Sequence, residues 1–200
     1  MALVARGAEA VLSRKKFLGF DAVVKDRVPK AYREKELDLR LRKTRTRIEA
    51  RLLHEAKNAG VLCPVVYSVS GSELVVSFVE GESLRSELSR KAKEAPSFLR
   101  GAGKSLAKLH SAGIVHGDFT TANVIVSGKK AWVIDFGLGG FSKELEERAI
   151  DVLLMKRSLK PAEFRHFLDG YRSFPGSAKV LGKLKEIESR GRYVVNRMAG

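Results

Sequence analysis

Several features are scarce in this sequence of 200 residues, and each scarcity excludes a class of protein. Cys63 is the single cysteine, so the chain cannot contain an internal disulfide framework or a cysteine-rich zinc site. No run of about 18 apolar residues occurs that could form a membrane-spanning helix. Charge and glycine come too early, at Arg6 and Gly7, for a secretory signal peptide. These absences predict a cytoplasmic protein without a membrane segment.

Acidic residues are also few relative to basic ones. The chain has 38 Lys and Arg against 23 Asp and Glu, which gives a formal net charge of +15 and a pI near 10.1. Eleven basic and five acidic residues fall between Lys25 and Arg51, and six basic and two acidic residues fall from Lys179 to the end. This excess favours a large anionic partner, RNA above all, although solvated helix faces would have the same composition.

The first 80 residues are typical of a sheet that carries one long helix. The helix is predicted from Leu37 to Asn58, with Ile48 and Leu52 on its apolar face and Gly60 as the stop signal. The charged residues 14–16 are expected to form a turn. Strands are predicted at 8–13, 17–25, 64–69 and 73–79.

The sequence after Gly81 is mainly helical. Helices are predicted at 84–92, at 97–112 and from 142 onward, and two short strands at 123–126 and 131–134. The two parts together predict an α+β, bilobal plan, with an N-lobe of residues 1–80 and a C-lobe of residues 81–200.

Three oxygen-bearing side chains in the C-lobe form a pattern typical of phosphoryl transfer. Asn123 follows Asp118 by five residues, and Asp135 stands twelve residues further on, directly after an apolar strand. Phosphoryl transfer from ATP requires positioning and charge neutralisation. Asn123 and Asp135 carry the oxygen ligands that Mg²⁺ prefers, and Asp118 can orient a hydroxyl and accept its proton.

The N-lobe supplies two further candidate catalytic residues. Lys25 ends an apolar strand and could reach nucleotide phosphates, and Glu49 on the long helix could hold that lysine. Taken singly, each residue has an ordinary explanation. Glu49 could pair with Arg45 or Lys57 on the surface, and His116 could be a buried core histidine that braces the loop. The joint order and spacing favour the kinase interpretation.

The sequence departs from ordinary protein kinases in three ways. No Gly-x-Gly-x-x-Gly precedes Lys25, so only residues 6–10 could cover the phosphates, and the candidates among them are Gly7, Ala8, Glu9 and Ala10. Gly117 stands where many kinases have an arginine that binds an activation-loop phosphate. Only a few residues separate Gly137 from the next helix, which leaves no ordinary activation segment.

These residues resemble a known family. The chain is similar to the small atypical serine/threonine kinases of the KEOPS complex, which are archaeal relatives of the p53-related protein kinase. The resemblance covers nearly the whole chain. The stretch Lys-x-Arg-x-x-Lys-x-Tyr-Arg, from Lys25 to Arg33, distinguishes this family from Rio kinases and from aminoglycoside-type phosphotransferases, which share the His-Gly-Asp loop.

The resemblance implies a minimal bilobal kinase fold that uses ATP and Mg²⁺ for autophosphorylation or ATP hydrolysis. It implies that the C-lobe binds the threonylcarbamoyltransferase subunit of KEOPS and that the N-lobe binds a small regulatory subunit. The process is formation of threonylcarbamoyladenosine on tRNA. The Arg190-Gly191-Arg192 motif of the family is present, but the basic extension after it is reduced.

Analogy with kinases places the remaining site residues. Adenine is expected against the Ser77 carbonyl and the Val79 N–H, with Val23 and Ile134 as apolar walls. Asp151, within an apolar helix, is expected to accept hydrogen bonds from the catalytic-loop backbone, although a surface pair with Arg148 or Lys156 is the alternative. For tRNA, the expected contacts are Arg42, Lys43, Arg45, Arg192 and Arg197.

Two other functions stay open. The His-Gly-Asp loop also serves small-molecule phosphotransferases of the aminoglycoside-kinase type, but the roughly 60 residues after Gly137 hardly provide their substrate-binding subdomain. A non-catalytic RNA-binding scaffold with a relict kinase fold is the third possibility. The complete set of candidate catalytic residues argues against it.

Overall fold

A five-stranded antiparallel sheet forms the N-terminal part of the chain. The computed structural model describes the backbone of residues 2–6 and 10–198 and the side chains of residues 10–190. The strand order is β1-β2-β3-β5-β4. The strands are β1 (Ala2–Arg6), β2 (Ala10–Phe17), β3 (Phe20–Arg27), β4 (Val66–Ser70) and β5 (Glu73–Ser77). Strand β1 has no counterpart in the prediction from sequence.

The turn predicted at residues 14–16 is wrong, because these residues lie inside β2. Arg14 and Lys16 are neighbours on one face of the strand, and both contact Asp21 on β3. A strand with one half-exposed face accommodates such charges. The chain reverses instead at Leu18 and Gly19, whose φ angles of 49° and 85° suit a tight two-residue hairpin.

Helix α1 (Lys35–Asn58) packs across the sheet. It begins after Glu34, whose carboxylate accepts hydrogen bonds from the backbone N–H groups of Glu36 and Leu37. Ile48, predicted on the apolar face, is 42% exposed, whereas its neighbour Glu49 is buried. The buried face of this helix therefore carries a charge among its apolar residues.

The rest of the chain is mainly helical, which confirms the α+β plan. Its helices are α2 (Leu84–Ser89), α3 (Ala95–Ser111), α4 (Leu145–Arg157), α5 (Pro161–Tyr171) and α6 (Ser177–Met198). Its strands are β6 (Glu82–Ser83), β7 (Ile114–Val115), β8 (Val124–Ser127), β9 (Lys130–Val133) and β10 (Gly140–Phe141). These form a three-stranded sheet, β6-β8-β9, and the pair β10-β7.

The main hydrophobic core joins the two parts of the chain. Leu52, Leu53 and Ala56 of α1 belong to the same buried cluster as Leu106 of α3 and Phe167 of α5. The C-terminal half of α1 is thus held against the helical part, and Glu49 lies about one turn before Leu52. Within the described residues, no helix is both long enough and apolar enough to cross a membrane.

Candidate active site

Four secondary-structure elements bring the predicted catalytic side chains together. Lys25 lies on β3 and Glu49 on α1. Asp118 lies in the loop between β7 and β8, and Asp135 comes two residues after β9. Asn123 immediately precedes β8, and its carbonyl accepts a hydrogen bond from the Ile134 N–H at 3.0 Å. Because β8 and β9 are antiparallel, Asn123 and Asp135 stand at the same end of that hairpin.

Lys25 connects the two halves of the site. Its Nζ lies 2.7 Å from Glu49 Oε1 and 2.6 Å from Asp135 Oδ1. The lysine side chain is 13% exposed and that of Glu49 is 4% exposed, so water screens this contact weakly. An ammonium group has three N–H donors, and these two carboxylates use two of them. One donor therefore remains for an anionic group such as a phosphate.

Asp135 has a strained backbone and a perturbed carboxylate. Its φ angle of 60° lies in the left-handed region, which non-glycine residues seldom adopt. Burial alone would raise the pKa of this carboxyl, but the Lys25 ammonium and the Gly137 N–H hold the pKa below its ordinary value. The side chain is half-exposed. It is therefore an ionised oxygen ligand that solvent and small molecules can reach.

Asn123 and Asp118 are joined by hydrogen bonds. The Asn123 Nδ2 group donates to the carbonyl oxygen and to Oδ2 of Asp118, each at 2.8 Å. With its amide nitrogen used in this way, the amide oxygen of Asn123 is left as a ligand atom. Asp118 Oδ1 likewise has no hydrogen-bond partner among the described residues. Asp118 can thus accept a proton or orient a hydroxyl with that oxygen.

His116 braces the loop that carries Asp118. The ring is buried, and burial holds the pKa of His116 below its usual value, so the imidazole is neutral. Its Nε2 donates to the Ile134 carbonyl at 3.0 Å, and its Nδ1 accepts from the Asp118 N–H at 3.3 Å. A neutral ring needs this tautomer, since Nε2 faces an acceptor. His116 thus ties the Asp118 loop to the strand end before Asp135.

Asp151 on α4 holds the backbone of the same loop. It is buried, and its two carboxylate oxygens accept hydrogen bonds from the backbone N–H groups of His116 at 2.7 Å and Gly117 at 2.8 Å. These are the hydrogen bonds predicted for Asp151. The alternative of a surface pair with Arg148 or Lys156 does not occur.

Prediction from sequence missed two residues behind Asp151. His110 Nε2 lies 3.2 Å from Asp151 Oδ2, and His110 Nδ1 lies 2.8 Å from the Tyr171 hydroxyl. Burial lowers the pKa of His110 and raises that of Tyr171, so the phenol donates to a neutral imidazole that donates to the carboxylate. The one feature of the sequence that could have indicated this pair is His110 itself, a polar residue on the apolar face of α3.

Arg27 is the third residue that the prediction missed. It lies two residues after Lys25 and therefore points to the same face of β3. Its Nη2 contacts Glu49 Oε2 at 2.6 Å, while Lys25 contacts the other oxygen of the same carboxylate. Because residues 25 and 27 are two apart in a predicted strand, the sequence could have indicated that both side chains lie on the face that Glu49 contacts.

Comparison with known proteins identifies the group to which this site belongs. A model of the RIO domain matches residues 11–150. The "KEOPS complex subunit Bud32" of Pyrococcus abyssi is 39% identical, with 96% of each chain covered. The "Probable serine/threonine-protein kinase BUD32 homolog" of Archaeoglobus fulgidus is 40% identical over 87% of this chain and 89% of its own length. The chain belongs to the Bud32 family of RIO-domain proteins.

Longer proteins also match this chain. The "Probable bifunctional tRNA threonylcarbamoyladenosine biosynthesis protein" of Methanobrevibacter smithii is 39% identical over 96% of this chain. The present chain spans 36% of the length of that protein.

The residues of this Bud32-family chain that are expected to contact the nucleotide lie mainly on the N-terminal sheet and in the segment that follows it. Val23 pairs with Val76 across β3 and β5, and Ser77 is the last residue of β5. Val79 follows in the segment that joins the sheet to the helical part. Ile134 lies between β9 and Asp135. Ala10 is buried at the start of β2, whereas Gly7, Ala8 and Glu9 lie outside the described residues.

The residues present in this Bud32-family chain suit Mg²⁺ better than a softer metal. Within the described side chains, no group of three or more His, Cys, Asp and Glu forms a metal-binding cluster. The candidate ligands are instead the Asp135 carboxylate and the Asn123 amide oxygen. Mg²⁺ is commonly held by one or two such oxygens, together with water and substrate phosphates.

The predicted tRNA contacts on α1 are only partly available. The Arg42 side chain is only 16% exposed, and its Nε donates to Asp38 Oδ2 at 2.7 Å, so little of it can reach a partner. An i,i+4 pair on the inner side of the helix explains this arrangement. Lys43 and Arg45 are exposed. Arg192 and Arg197 lie outside the residues whose side chains are described.

Proposed function

We propose that this chain is an ATP-dependent phosphotransferase or ATPase that serves the formation of threonylcarbamoyladenosine on tRNA. The observation that carries the proposal is the convergence of Glu49 and Asp135 on Lys25. It is supported by the Asp118–Asn123 pair, by the membership of a kinase-related family and by the names of the relatives.

Each residue has a distinct role in this proposal. Lys25 would bind the phosphates of ATP, and Glu49 would hold the lysine in place. Asp135 and Asn123 would hold Mg²⁺, whose charge offsets that of the phosphates. Asp118 would orient the accepting hydroxyl or water through its available oxygen. The segment from Ser77 to Val79 would bind adenine, with Val23 and Ile134 as walls and residues 7–10 over the phosphates.

The proposed assembly follows the family resemblance. The C-lobe would bind a threonylcarbamoyltransferase subunit, the N-lobe a small regulatory subunit, and the complex would act on tRNA in the cytoplasm. In support, one relative of similar length carries the name of a KEOPS complex subunit. A boundary between lobes near residue 80 agrees with the end of β5 at Ser77.

The alternative of a small-molecule phosphotransferase has less support. After Gly137, the described chain forms the short strand β10 and then helices that belong to the main core. These helices pack on α3 and on one another. They are thus used for the fold and do not form a separate substrate-binding subdomain.

The test is ATP turnover by the purified chain, measured alone, with the transferase subunit, and with that subunit and tRNA. We expect Mg²⁺-dependent turnover that rises when the transferase and tRNA are both present. Phosphorylation of an aminoglycoside, with no response to the transferase, would favour the small-molecule function. ATP binding without any turnover in all three mixtures would favour the scaffold.

A further inference from the structure

A basic groove lies between α3 and the turn of the β8–β9 hairpin, outside the candidate active site. Its volume is about 320 Å³. Five of its lining side chains are basic, and among the described residues none of the lining side chains is acidic. The basic residues are Arg100, Lys104, Lys108, Lys129 and Lys130. We call this feature the α3 groove.

The fold places these charges together at a cost to stability. Arg100, Lys104 and Lys108 follow one another at four-residue intervals and therefore share a face of α3. Like charges at this spacing destabilise a helix. Strand β9 packs along α3 and brings Lys129 and Lys130 to the same groove. An anionic occupant would remove the repulsion among these groups.

Only one of the five basic residues is used by the fold. Lys108 Nζ donates to the Gly60 carbonyl at 2.7 Å, at the C-terminal end of α1. The side chains of the other four are exposed and make no hydrogen bond or ion pair with the described residues. By contrast, Arg42 on α1, predicted from sequence as a tRNA contact, is paired with Asp38.

We propose that the α3 groove binds the phosphodiester backbone of RNA. Successive cations on α3 are separated by about 6 Å along the helix axis, a spacing similar to that of consecutive phosphates in a strand. Lysine and arginine on such a surface bind phosphates without reading the base sequence. The choice of RNA over another polyanion rests on the proposed function in tRNA modification, and the RNA expected is the tRNA substrate itself.

The test compares charge reversal in the groove with charge reversal elsewhere. Binding of a tRNA transcript to the full chain is followed by fluorescence anisotropy over a series of salt concentrations. For Lys104→Glu/Lys130→Glu we expect at least about tenfold weaker binding, with the slope of log affinity against log salt reduced by about 1.5 to 2.

The matched control is Lys143→Glu/Arg165→Glu, which changes the net charge equally at exposed positions outside the groove. It should bind tRNA within about threefold of the original chain, since its charges make no phosphate contact. Lys43→Glu/Arg47→Glu tests the exposed surface of α1 in the same way. If the groove variant lost no more affinity than the control, or if only the α1 variant lost affinity, the proposal would be wrong.

Two further measurements separate the possible outcomes. If Lys104→Glu/Lys130→Glu weakened binding of polyglutamate but not of tRNA, the groove would bind an acidic protein and the proposal would be overturned. ATP turnover without RNA should be equal in the groove variant and the original chain, because no groove residue belongs to the candidate active site. Absence of turnover in the original chain would contradict the proposed function, while the comparison of tRNA affinities would still decide the groove.

Discussion

Arg27 Nη2 lies 2.6 Å from Glu49 Oε2, and the two side chains are only 3% and 4% exposed. Glu49 thus binds Arg27 as closely as it binds Lys25. The arginine neutralises part of the buried carboxylate and limits its rotation. Arg27 is therefore a positioning residue, because it acts on Lys25 through the carboxylate that both contact.

We expect Arg27→Gln to lower the free energy of unfolding by about 3 to 5 kcal/mol, since it leaves a buried charge with one partner fewer. The KM for ATP should rise as well, because Glu49 is then free to move with Lys25. Urea unfolding and steady-state turnover measure the two effects. Arg172→Gln removes the exposed pair with Asp169 and should cost less than about 1 kcal/mol. Equal effects of the two changes would contradict the role of Arg27.

Substitutions of Asp118 and Asp135 should have different effects on nucleotide binding. Asp118→Ala should reduce turnover by a factor of about 10² to 10⁴ and spare nucleotide affinity, because it removes only the group that orients the hydroxyl or water. Asp135→Ala should reduce turnover and also weaken binding of Mg-ATP, because a metal ligand is lost. Calorimetric titration with Mg-ATP distinguishes them. An equal loss of nucleotide affinity in both variants would contradict these roles.

Asp151→Asn should impair both folding and turnover. Asn retains one acceptor oxygen and presents an NH₂ group, so at least one of the donors from His110, His116 and Gly117 is left without a partner. An unpaired buried donor costs about 1 to 3 kcal/mol. Thermal unfolding and ATP turnover are the measurements. The exposed Asp169→Asn is the control, and similar behaviour of both variants would count against the supporting role of Asp151.

Gly117 cannot be replaced without moving the loop. Its φ angle is 77°, and a Cβ at this position would lie 2.2 Å from the Leu138 carbonyl oxygen. Gly71 has a similar φ of 57°, with nothing within 4 Å of its Cβ position. Gly71→Ala should therefore cost only the backbone strain of about 1 to 2 kcal/mol, whereas Gly117→Ala should cost more and abolish turnover. Turnover equal to that of Gly71→Ala would show that the loop tolerates the shift.

Stability should fall as the pH drops below the ordinary pKa of histidine. Burial lowers the pKa of His110 and of His116, so the unfolded chain binds protons near and below about pH 6.5 that the folded chain does not. Each histidine then contributes a slope of up to about 1.4 kcal/mol per pH unit. Urea unfolding at pH 7.5 and pH 5.5 measures the loss. Replacement of the exposed His54 by Gln should leave this loss of stability unchanged. A stability that did not depend on pH would contradict the burial argument.

The order and spacing of polar residues in the sequence were sufficient to predict the local parts of the site. Asp118 and Asn123 are five residues apart on one loop, and Asp135 follows an apolar strand, so their neighbourhood is encoded by short-range patterns. The two-part α+β plan followed from hydrophobic periodicity for the same reason. These features depend on which residues are close in the chain.

Only the tertiary structure showed which residues share a partner. Arg27 and Lys25 meet at one carboxylate of α1, 22 and 24 residues away, and the basic α3 groove combines a helix with a distant hairpin. The backbone of Leu138 passes so close to Gly117 that a Cβ there would lie 2.2 Å from the Leu138 carbonyl oxygen. Each of these depends on packing between remote segments. Periodicity tells which face of an element is buried, but not which side chain lies opposite it.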